Sequence, residues 1–248
     1  MSKKDNIYIK RARRKRLIKR LIIMFIILAA IGAYVVFKTE VFLINKVKCT
    51  GDTVVTGDYI LKETESLYGD NIFTIDKDKI VSSLKENPYV KKVSIKRSLP
   101  TTLIFNVEEA KGLFYIKNNG VISKISSDLI LLENIPEQDM EDQIEILGID
   151  LNDIEIGSVI SKDTRIKHIL NELYDEQGII KDNKEDFLIK SVDLSDLSNI
   201  KVTINNIVVQ LGTDEDMREK MNKAILVYKS NLPTEYINVS FNGRPDFK

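Results

Sequence analysis

Residues Leu21–Phe37 read LIIMFIILAAIGAYVVF, a run of 17 consecutive residues without a charged side chain. As a helix rising about 1.5 Å per residue, this run is just long enough to cross the hydrocarbon core of a bilayer. A lone helix satisfies its own backbone hydrogen bonds inside lipid. Exposure of so apolar a segment to water would be unfavourable. The sequence therefore predicts a transmembrane helix at residues 21–37.

The flanks of this helix predict its orientation. Residues 1–20 form a basic tail, with ten basic side chains and a single acid, Asp5. Because positively charged flanks stay in the cytoplasm, we expect the N-terminus inside and residues 38–248 on the extracytoplasmic side. A cleaved signal peptide is the alternative, since Ala30-Ile31-Gly32 could serve as a cleavage site. The apolar run continues to Phe37 and is longer than a usual signal core, which favours an uncleaved anchor.

The composition of the remaining chain argues against several classes of site. The whole sequence has 37 basic and 37 acidic residues, so residues 21–248 carry a net charge of −9 and no basic surplus for nucleic-acid phosphates. A lone cysteine, Cys49, allows no intramolecular disulfide. With a single histidine, His168, the chain also lacks the Cys and His clusters of structural zinc sites. We therefore predict no nucleic-acid partner, no metal and no cofactor.

Residues 42–109 predict a small module with the order strand, helix, helix, strand, strand. Phe42–Cys49 alternates apolar and polar residues, as a half-buried strand does. Thr56 is a candidate N-cap for a helix over Asp58–Tyr68, and Asp76 is one for a second helix, which Asn87-Pro88 ends. Two strands follow, at Tyr89–Arg97 and Thr101–Glu108, and in the second the apolar side chains share one face.

Residues 110–248 predict a second domain that is mostly antiparallel β structure. Asn118-Asn119-Gly120 is a good hairpin turn between Phe114-Tyr115-Ile116 and Val121-Ile122. The further elements are strands at 144–149, 188–194, 200–211 (folded back at Asn205-Asn206) and 236–241, and helices at 162–177 (stopped by Gly178) and 214–230. The chain closes with Asn242-Gly243-Arg244-Pro245 and three further residues.

These patterns resemble the FtsQ/DivIB family of bacterial cell-division proteins. The residues that carry the resemblance are Asn87-Pro88-Tyr89-Val90, Val93, Ile95, Arg97, Leu99-Pro100-Thr101 and Val107-Glu108-Glu109, followed by Leu211-Gly212-Thr213 and Lys220. Leu99 is a departure, because the family often has an aromatic residue before this proline. The resemblance implies an α+β fold: an N-terminal transmembrane helix, a POTRA domain (β-α-α-β-β) at 41–109, and a mixed, mostly antiparallel β domain with helices at 110–248.

The resemblance also implies a function, that of a non-enzymatic divisome scaffold at the division septum. In this family the last strands of the β domain meet FtsB (DivIC) and FtsL by β-strand addition, which links them to septal peptidoglycan synthases. On this basis the partner-binding residues are expected to be Tyr236, Ile237, Val239 and Phe241, the last matching an aromatic of the family's binding strand. An extended segment at a sheet edge can recruit another chain, but residues 236–241 could equally only close the sheet.

Two further questions stay open at the level of sequence. Tyr89, Val93 and Ile95 could contact other division proteins, although core and turn packing explains them more simply. The other question is whether the chain is instead a membrane-anchored exported enzyme with an unfamiliar active site.

The residues that could serve such an enzyme lack the expected sequence patterns. Cys49 precedes His168, the reverse of the order in exported thiol transpeptidases, and no serine lies in a nucleophile motif. The acidic groups are Glu108-Glu109, Asp150 with Asp153, and Asp214-Glu215-Asp216. They fit solvated turns and a helix N-terminus, and their spacing is not that of an EF-hand calcium loop. We therefore predict no catalytic residues. An outer-membrane assembly factor is disfavoured, because the chain is too short for a transmembrane barrel.

Overall fold

The computed structural model describes residues 3–138, 140, 143–230, 235–241 and 243–248; the side chains of the first helix are described from residue 14 onward. Asn242, part of the predicted closing segment, lies outside these residues. The chain divides into two compact units. The first runs to Leu84 and includes Lys92–Glu108, and the second comprises Lys85–Lys91 and Glu109–Lys248.

The first unit begins with α1, Lys3–Lys38, a continuous helix of 36 residues. Its segment Arg14–Lys38 contains the apolar run and is long and apolar enough to cross a membrane; no other such helix occurs among the residues that the structure describes. None of that apolar window is buried within the protein, so its side chains have no protein core to pack against. A single-pass membrane protein is consistent with this exposure.

The rest of the first unit has the predicted element order. β1 (Lys46–Gly51), α2 (Gly57–Glu63), α3 (Lys77–Leu84), β2 (Val90–Ser98) and β3 (Thr102–Glu109) build a three-stranded sheet of order β1-β3-β2. β1 and β3 are parallel, with Lys46 opposite Thr102 and Gly51 opposite Val107. The apolar face of β3 is buried as its alternation predicts. It packs in a core that contains Ile44, Val47, Ile60, Ile72, Leu84, Val93, Leu103, Phe105 and Val107.

Local details of this unit differ from the predictions where tertiary contacts decide. Phe42 ends a 3-10 turn, Glu40–Phe42, and β1 begins only at Lys46. Thr56 makes no side-chain capping bond, because it is already in helical conformation and fully buried. Asp76 does cap α3: its Oδ1 accepts from the amides of Asp78 and Lys79, both at 3.1 Å.

The helix predicted over Asp58–Tyr68 is also shorter than expected. α2 stops at Glu63, and a separate 3-10 turn, Glu65–Leu67, follows it. The Thr64 hydroxyl, fully buried, donates to the carbonyl of Ile60 at 2.7 Å. A hydroxyl bonded back to the preceding turn competes with the helical backbone pattern, which accounts for the break after Glu63.

The short segment Lys85–Lys91 belongs to the second unit, although it lies inside the range predicted for the POTRA domain. The Tyr89 hydroxyl donates to Glu133 at 2.8 Å, and the Tyr89 carbonyl accepts from the amide of Ala110 at 2.9 Å. Burial, followed by the hydrogen bond to Glu133, raises the pKa of Tyr89. Tyr89 therefore has a packing role here, while Val93 is buried and Ile95 half-buried in β2.

The described residues of the second unit form a nine-stranded mixed sheet and two helices. Its elements are β4 (Gly112–Asn118), β5 (Val121–Ser126), β6 (Leu131–Pro136), β7 (Ile144–Leu147), α4 (Thr164–Asp182), β8 (Ile189–Asp193), β9 (Ile200–Ile204), β10 (Ile207–Gly212), α5 (Met217–Lys229), β11 (Tyr236–Asn238) and β12 (Asp246–Phe247). The sheet order is β12-β11-β10-β9-β8-β7-β4-β5-β6. The β4–β7, β7–β8 and β10–β11 pairs are parallel and the other pairs antiparallel.

Both predicted turns and both predicted helices occur in this unit. Asn119 and Gly120 have φ of 50° and 78°, as a tight hairpin turn requires, and Asn205 with φ of 49° turns β9 into β10. α4 does not stop at Gly178: it continues to Asp182 because Ile180 is buried in the core. Burial of one isoleucine stabilises by roughly 1.5–3 kcal/mol, which exceeds the cost of about 1 kcal/mol for a helical glycine. β6 was not predicted.

Candidate functional site

The C-terminal end of the nine-stranded sheet is the candidate site, and its architecture corrects one expectation. β11 lies between two strands: Val209 of β10 stands opposite Ile237 on one side, and Phe247 of β12 on the other. Residues 236–241 therefore do not form the edge of the sheet. The reason is that the last residues of the chain fold back and pair with β11, so that the two-residue β12 is the outermost strand.

The four predicted binding residues have different environments. Ile237 and Val239 are buried in the core of the second unit, with 0% and 3% of their surface exposed. Tyr236 is half-buried, and its hydroxyl lies 3.2 Å from Asp246 Oδ2 of β12. Phe241 lies beyond the end of β11 and is 47% exposed. Of the four side chains, only Tyr236 and Phe241 are thus accessible to a partner.

The hydrogen-bond pattern between β11 and β12 fixes which backbone groups face outward. Lys248 and Tyr236 exchange two bonds: the Lys248 amide donates to Tyr236 at 3.1 Å, and the Tyr236 amide donates to Lys248 at 3.2 Å. Because bonded and non-bonded pairs alternate along an antiparallel ladder, the next pair, Phe247 with Ile237, is a non-bonded pair. The N–H and C=O of Phe247 therefore point away from β11, toward the open side of the sheet.

The segment after β11 depends on a glycine in β10. Gly212 has φ of +73°, and a Cβ built on it would lie 2.9 Å from Cβ of Ser240. Only a residue without a side chain lets the chain after Asn238 approach β10 so closely. The amide of Val239 donates to the carbonyl of Gln210 at 3.0 Å in this region. The Leu211-Gly212-Thr213 sequence thus has a structural reason at the candidate site.

Comparisons with known proteins agree with this architecture. The model of the FtsQ-type POTRA domain matches residues 42–110. The cell division protein DivIB of Clostridium botulinum is 31% identical over 245 residues, which is 97% of this chain and 94% of that protein. The chain belongs to the FtsQ/DivIB family.

Two further relatives in the FtsQ/DivIB family extend the comparison. The cell division protein DivIB of Clostridium acetobutylicum is 31% identical over 84% of this chain and 83% of its own length. The cell division protein FtsQ of Corynebacterium glutamicum is 26% identical over 42% of this chain and 46% of its own length. The family thus includes proteins named DivIB and proteins named FtsQ.

Cys49 and His168, which would have to form the thiol–imidazole pair of a transpeptidase, lie in different units of this FtsQ/DivIB chain. Cys49 is half-buried on β1, and burial raises the pKa of its thiol. A raised pKa keeps the sulfur protonated, whereas a nucleophilic cysteine needs a lowered one. His168 is exposed on α4. Cys49 therefore lacks the environment of an activated nucleophile.

The acidic groups near His168 line an open cavity of about 490 Å³, together with Met217, Arg218 and Asn222. Asp214 in this cavity forms two hydrogen bonds to Arg165, at 2.6 and 3.3 Å. The hydrogen bond from Arg165 is the main cause that lowers the pKa of Asp214. Among the residues that the structure describes, no three His, Cys, Asp or Glu side chains are grouped so as to hold a metal ion.

A buried acid, Glu176, lies on the core side of α4 and is 4% exposed. Burial raises the pKa of its carboxyl; Glu172 and Asp175 act in the same direction, and Arg218 opposes them. The folded state therefore binds the Glu176 proton more tightly than the unfolded state does. The stabilising contribution of that proton is complete below the unfolded pKa of about 4.3 and is lost as the pH rises through the raised folded value.

We expect Glu176→Gln to stabilise the second unit at neutral pH by on the order of 1 kcal/mol, because a neutral amide has no charge to desolvate. The gain should vanish at pH 4 and below, where the glutamate is itself protonated. Urea unfolding of the two proteins at both pH values measures the difference. Asp175→Asn, at an exposed neighbouring position, is the control and should change little. A loss of stability at neutral pH would show that the carboxylate is needed in the fold.

Proposed function

We propose that this protein is a non-enzymatic scaffold of the division machinery, which captures partner proteins by strand addition at the C-terminal end of its nine-stranded sheet. The observation that carries the proposal is the outward direction of the Phe247 N–H and C=O on an outermost strand of two residues. Membership in a family whose relatives are named cell division proteins supports a role in cell division.

Capture rests on main-chain pairing assisted by apolar contacts. A partner strand that pairs with β12 gains backbone hydrogen bonds from the outward groups of Phe247. Exposed rings of Phe241 and Phe247, 47% and 38% accessible, supply apolar surface at the same end of the sheet. Ile237 has an indirect role: its burial in the core stabilises β11, with which β12 pairs. No covalent bond is made or broken, so this function requires no nucleophile.

The partners we propose are FtsB/DivIC and FtsL, and through them the septal peptidoglycan synthases. The outermost strand has only two residues, which suits a site that another chain extends. Besides the main-chain bonds between Lys248 and Tyr236, its side chains contribute the Tyr236–Asp246 hydrogen bond and an exposed ion pair, Lys248 with Glu235, at 3.0 Å. Exposed ion pairs of this kind contribute at most about 1 kcal/mol.

The proposed orientation is a cytoplasmic N-terminus, with residues 38–248 on the extracytoplasmic side. The ten basic residues before the apolar segment of α1 support it. In a Cys49→Ser background, we expect a membrane-impermeant thiol reagent to label Val54→Cys on intact cells and to label Lys15→Cys only after lysis. Both positions are exposed, so accessibility within the protein is matched. Labelling of Lys15→Cys on intact cells would reverse the orientation.

The scaffold function predicts a location that follows division. A fluorescent protein fused to the N-terminus should form a sharp band at mid-cell that narrows with constriction. An even distribution around the envelope throughout division would contradict the proposal and favour the alternative, a membrane-anchored exported enzyme. The fused protein must complement loss of the native one, which establishes that the fusion itself does not disturb placement.

A further inference from the structure

The end of the membrane helix is attached to a loop of the first unit. The amide nitrogen of the Asn71 side chain donates to the carbonyl of Val36 at 2.5 Å, and Asn71 also pairs with Leu43. Val36 is half-buried, whereas the rest of the apolar run is exposed. Val36 directly precedes Phe37, the last residue of the apolar run, so the Asn71 side chain contacts the end of that run.

Exposed apolar side chains lie close in sequence to the Asn71–Val36 hydrogen bond. Phe73, two residues from Asn71 and therefore within about 7 Å of it along the chain, is 37% exposed. Its ring meets that of Phe42 edge to face, with 5.2 Å between centroids. Val41, three residues beyond the helix end, is 52% exposed. We call Val41, Phe42 and Phe73 the membrane foot.

The loop that carries the foot is tied down by the protein's own groups. The amide of Phe73 donates to Asn71 Oδ1 at 2.9 Å, and the amide of Ile72 donates to the carbonyl of Phe42 at 2.9 Å. Arg97 on β2 donates through Nε to the carbonyl of Ile72 at 2.6 Å, and its Nη2 lies 3.5 Å from the carbonyl of Phe73. A loop whose backbone groups are paired internally can lie against lipid at little cost.

We propose that the membrane foot inserts into the boundary between headgroups and acyl chains of the leaflet where α1 leaves the bilayer. Aromatic side chains favour this interfacial layer, and the foot is continuous with the membrane-spanning segment. The POTRA unit then stands on the bilayer at a fixed angle, with its base as a second membrane contact. This inference rests on the proposed membrane anchor but not on partner capture at the other unit.

The absence of tryptophan from the sequence makes the test direct. Phe73→Trp, Val41→Trp and Val54→Trp each give the full-length chain a single indole. Val54 is the matched control: it is 95% exposed and follows the far end of β1, whose six residues span roughly 17 Å. The proteins are reconstituted in vesicles of phosphatidylethanolamine and phosphatidylglycerol that carry bromine on the acyl chain near the glycerol backbone.

We expect the Phe73→Trp and Val41→Trp proteins to show blue-shifted emission and to lose most of their fluorescence to the brominated lipid. The Val54→Trp protein should keep its intensity and be quenched by iodide in the water. Val41→Trp guards against a disturbed ring contact at Phe73, because its side chain is largely exposed already. If Val41→Trp shows the same emission and quenching as Val54→Trp, the proposal is overturned. The membrane foot would then be a contact surface for a protein partner that the vesicles lack.

Failure of the membrane anchor has its own signature in the same samples. A chain that does not float with the vesicles in a density gradient contradicts the anchor itself. A chain that floats and escapes quenching at Val41→Trp and Phe73→Trp contradicts only the foot. Partner capture at the β12 edge is measured separately and is unaffected by either result.

Discussion

Phe247→Pro is expected to abolish capture of a partner strand while the second unit stays folded. The Phe247 N–H points away from β11, so its removal breaks no hydrogen bond among the residues that the structure describes. Proline is tolerated on an outermost strand in this situation, but it cannot donate to an added strand. The lost bond alone corresponds to as much as about a tenfold weaker affinity, and the clash of the ring with the arriving strand adds to it.

The measurement is binding of the purified full-length chain in detergent to the extracytoplasmic segments of a FtsB/DivIC-type and a FtsL-type partner. Phe247→Ala is the matched control: it removes the same side chain but keeps the N–H, and it should lose only the apolar part of the affinity. Thermal unfolding of both variants checks the fold. Equal binding by Phe247→Pro and Phe247→Ala would exclude main-chain pairing at β12.

Val239→Asp is expected to destabilise the second unit by about 3–5 kcal/mol, because it leaves an unpaired charge in the core. Val239 is 3% exposed, and its backbone is fixed by the bond to Gln210. Such a loss is a large part of the roughly 5–15 kcal/mol that stabilises an ordinary domain. Urea unfolding of the full-length chain, followed by a probe in the second unit, measures it.

Phe241→Asp is the control for this substitution. Phe241 is 47% exposed, so the same introduced charge should change stability by no more than about 0.5 kcal/mol. The family resemblance predicts both positions as partner-binding residues. The structure predicts different effects on partner capture. Val239→Asp prevents it by unfolding the second unit, whereas Phe241→Asp changes only an exposed side chain and so tests whether that side chain contacts the partner. A Val239→Asp protein as stable as the wild type would mean that this strand is not packed as described.

The elements that were predicted correctly are those whose signal is local. The alternation of Leu103, Phe105 and Val107 sets one face of β3, and their near-complete burial follows from it. The Asn119-Gly120 pair specifies its turn through residues that accept positive φ. The order of elements in residues 42–109 followed from such signals, and the family resemblance identified the two modules as a POTRA domain and a β domain.

The errors arise where distant contacts decide. Gly178 is a helix stop by local preference, but burial of Ile180 carries α4 onward. β12 has only two residues, too few for any periodicity, and it exists because Asp246 and Phe247 can pair with Asn238 and Ile237. The sequence signal for it is an apolar residue, Phe247, that shortly follows Gly243-Arg244-Pro245.

The sequence predicted residues 236–241 as the edge of the sheet, whereas the outermost strand at this end is β12. Residues 236–241 alternate as a half-buried strand does, and Ile237 and Val239 are buried on that pattern. Sequence could not tell whether this strand ends the sheet, because pairing partners are fixed by tertiary folding rather than by local pattern. The binding role of Tyr236 and Phe241 stays a prediction.

Hydrogen exchange at single residues, in the full-length chain with and without the FtsB/DivIC-type partner, tests the central claim most directly. In the free protein the Phe247 amide should exchange rapidly, while the Lys248 amide, bonded to Tyr236, should be slower. Partner binding should protect Phe247 strongly and leave the buried Ile237 amide unchanged. A bound partner that leaves Phe247 exchanging at its free rate would contradict strand addition at this edge.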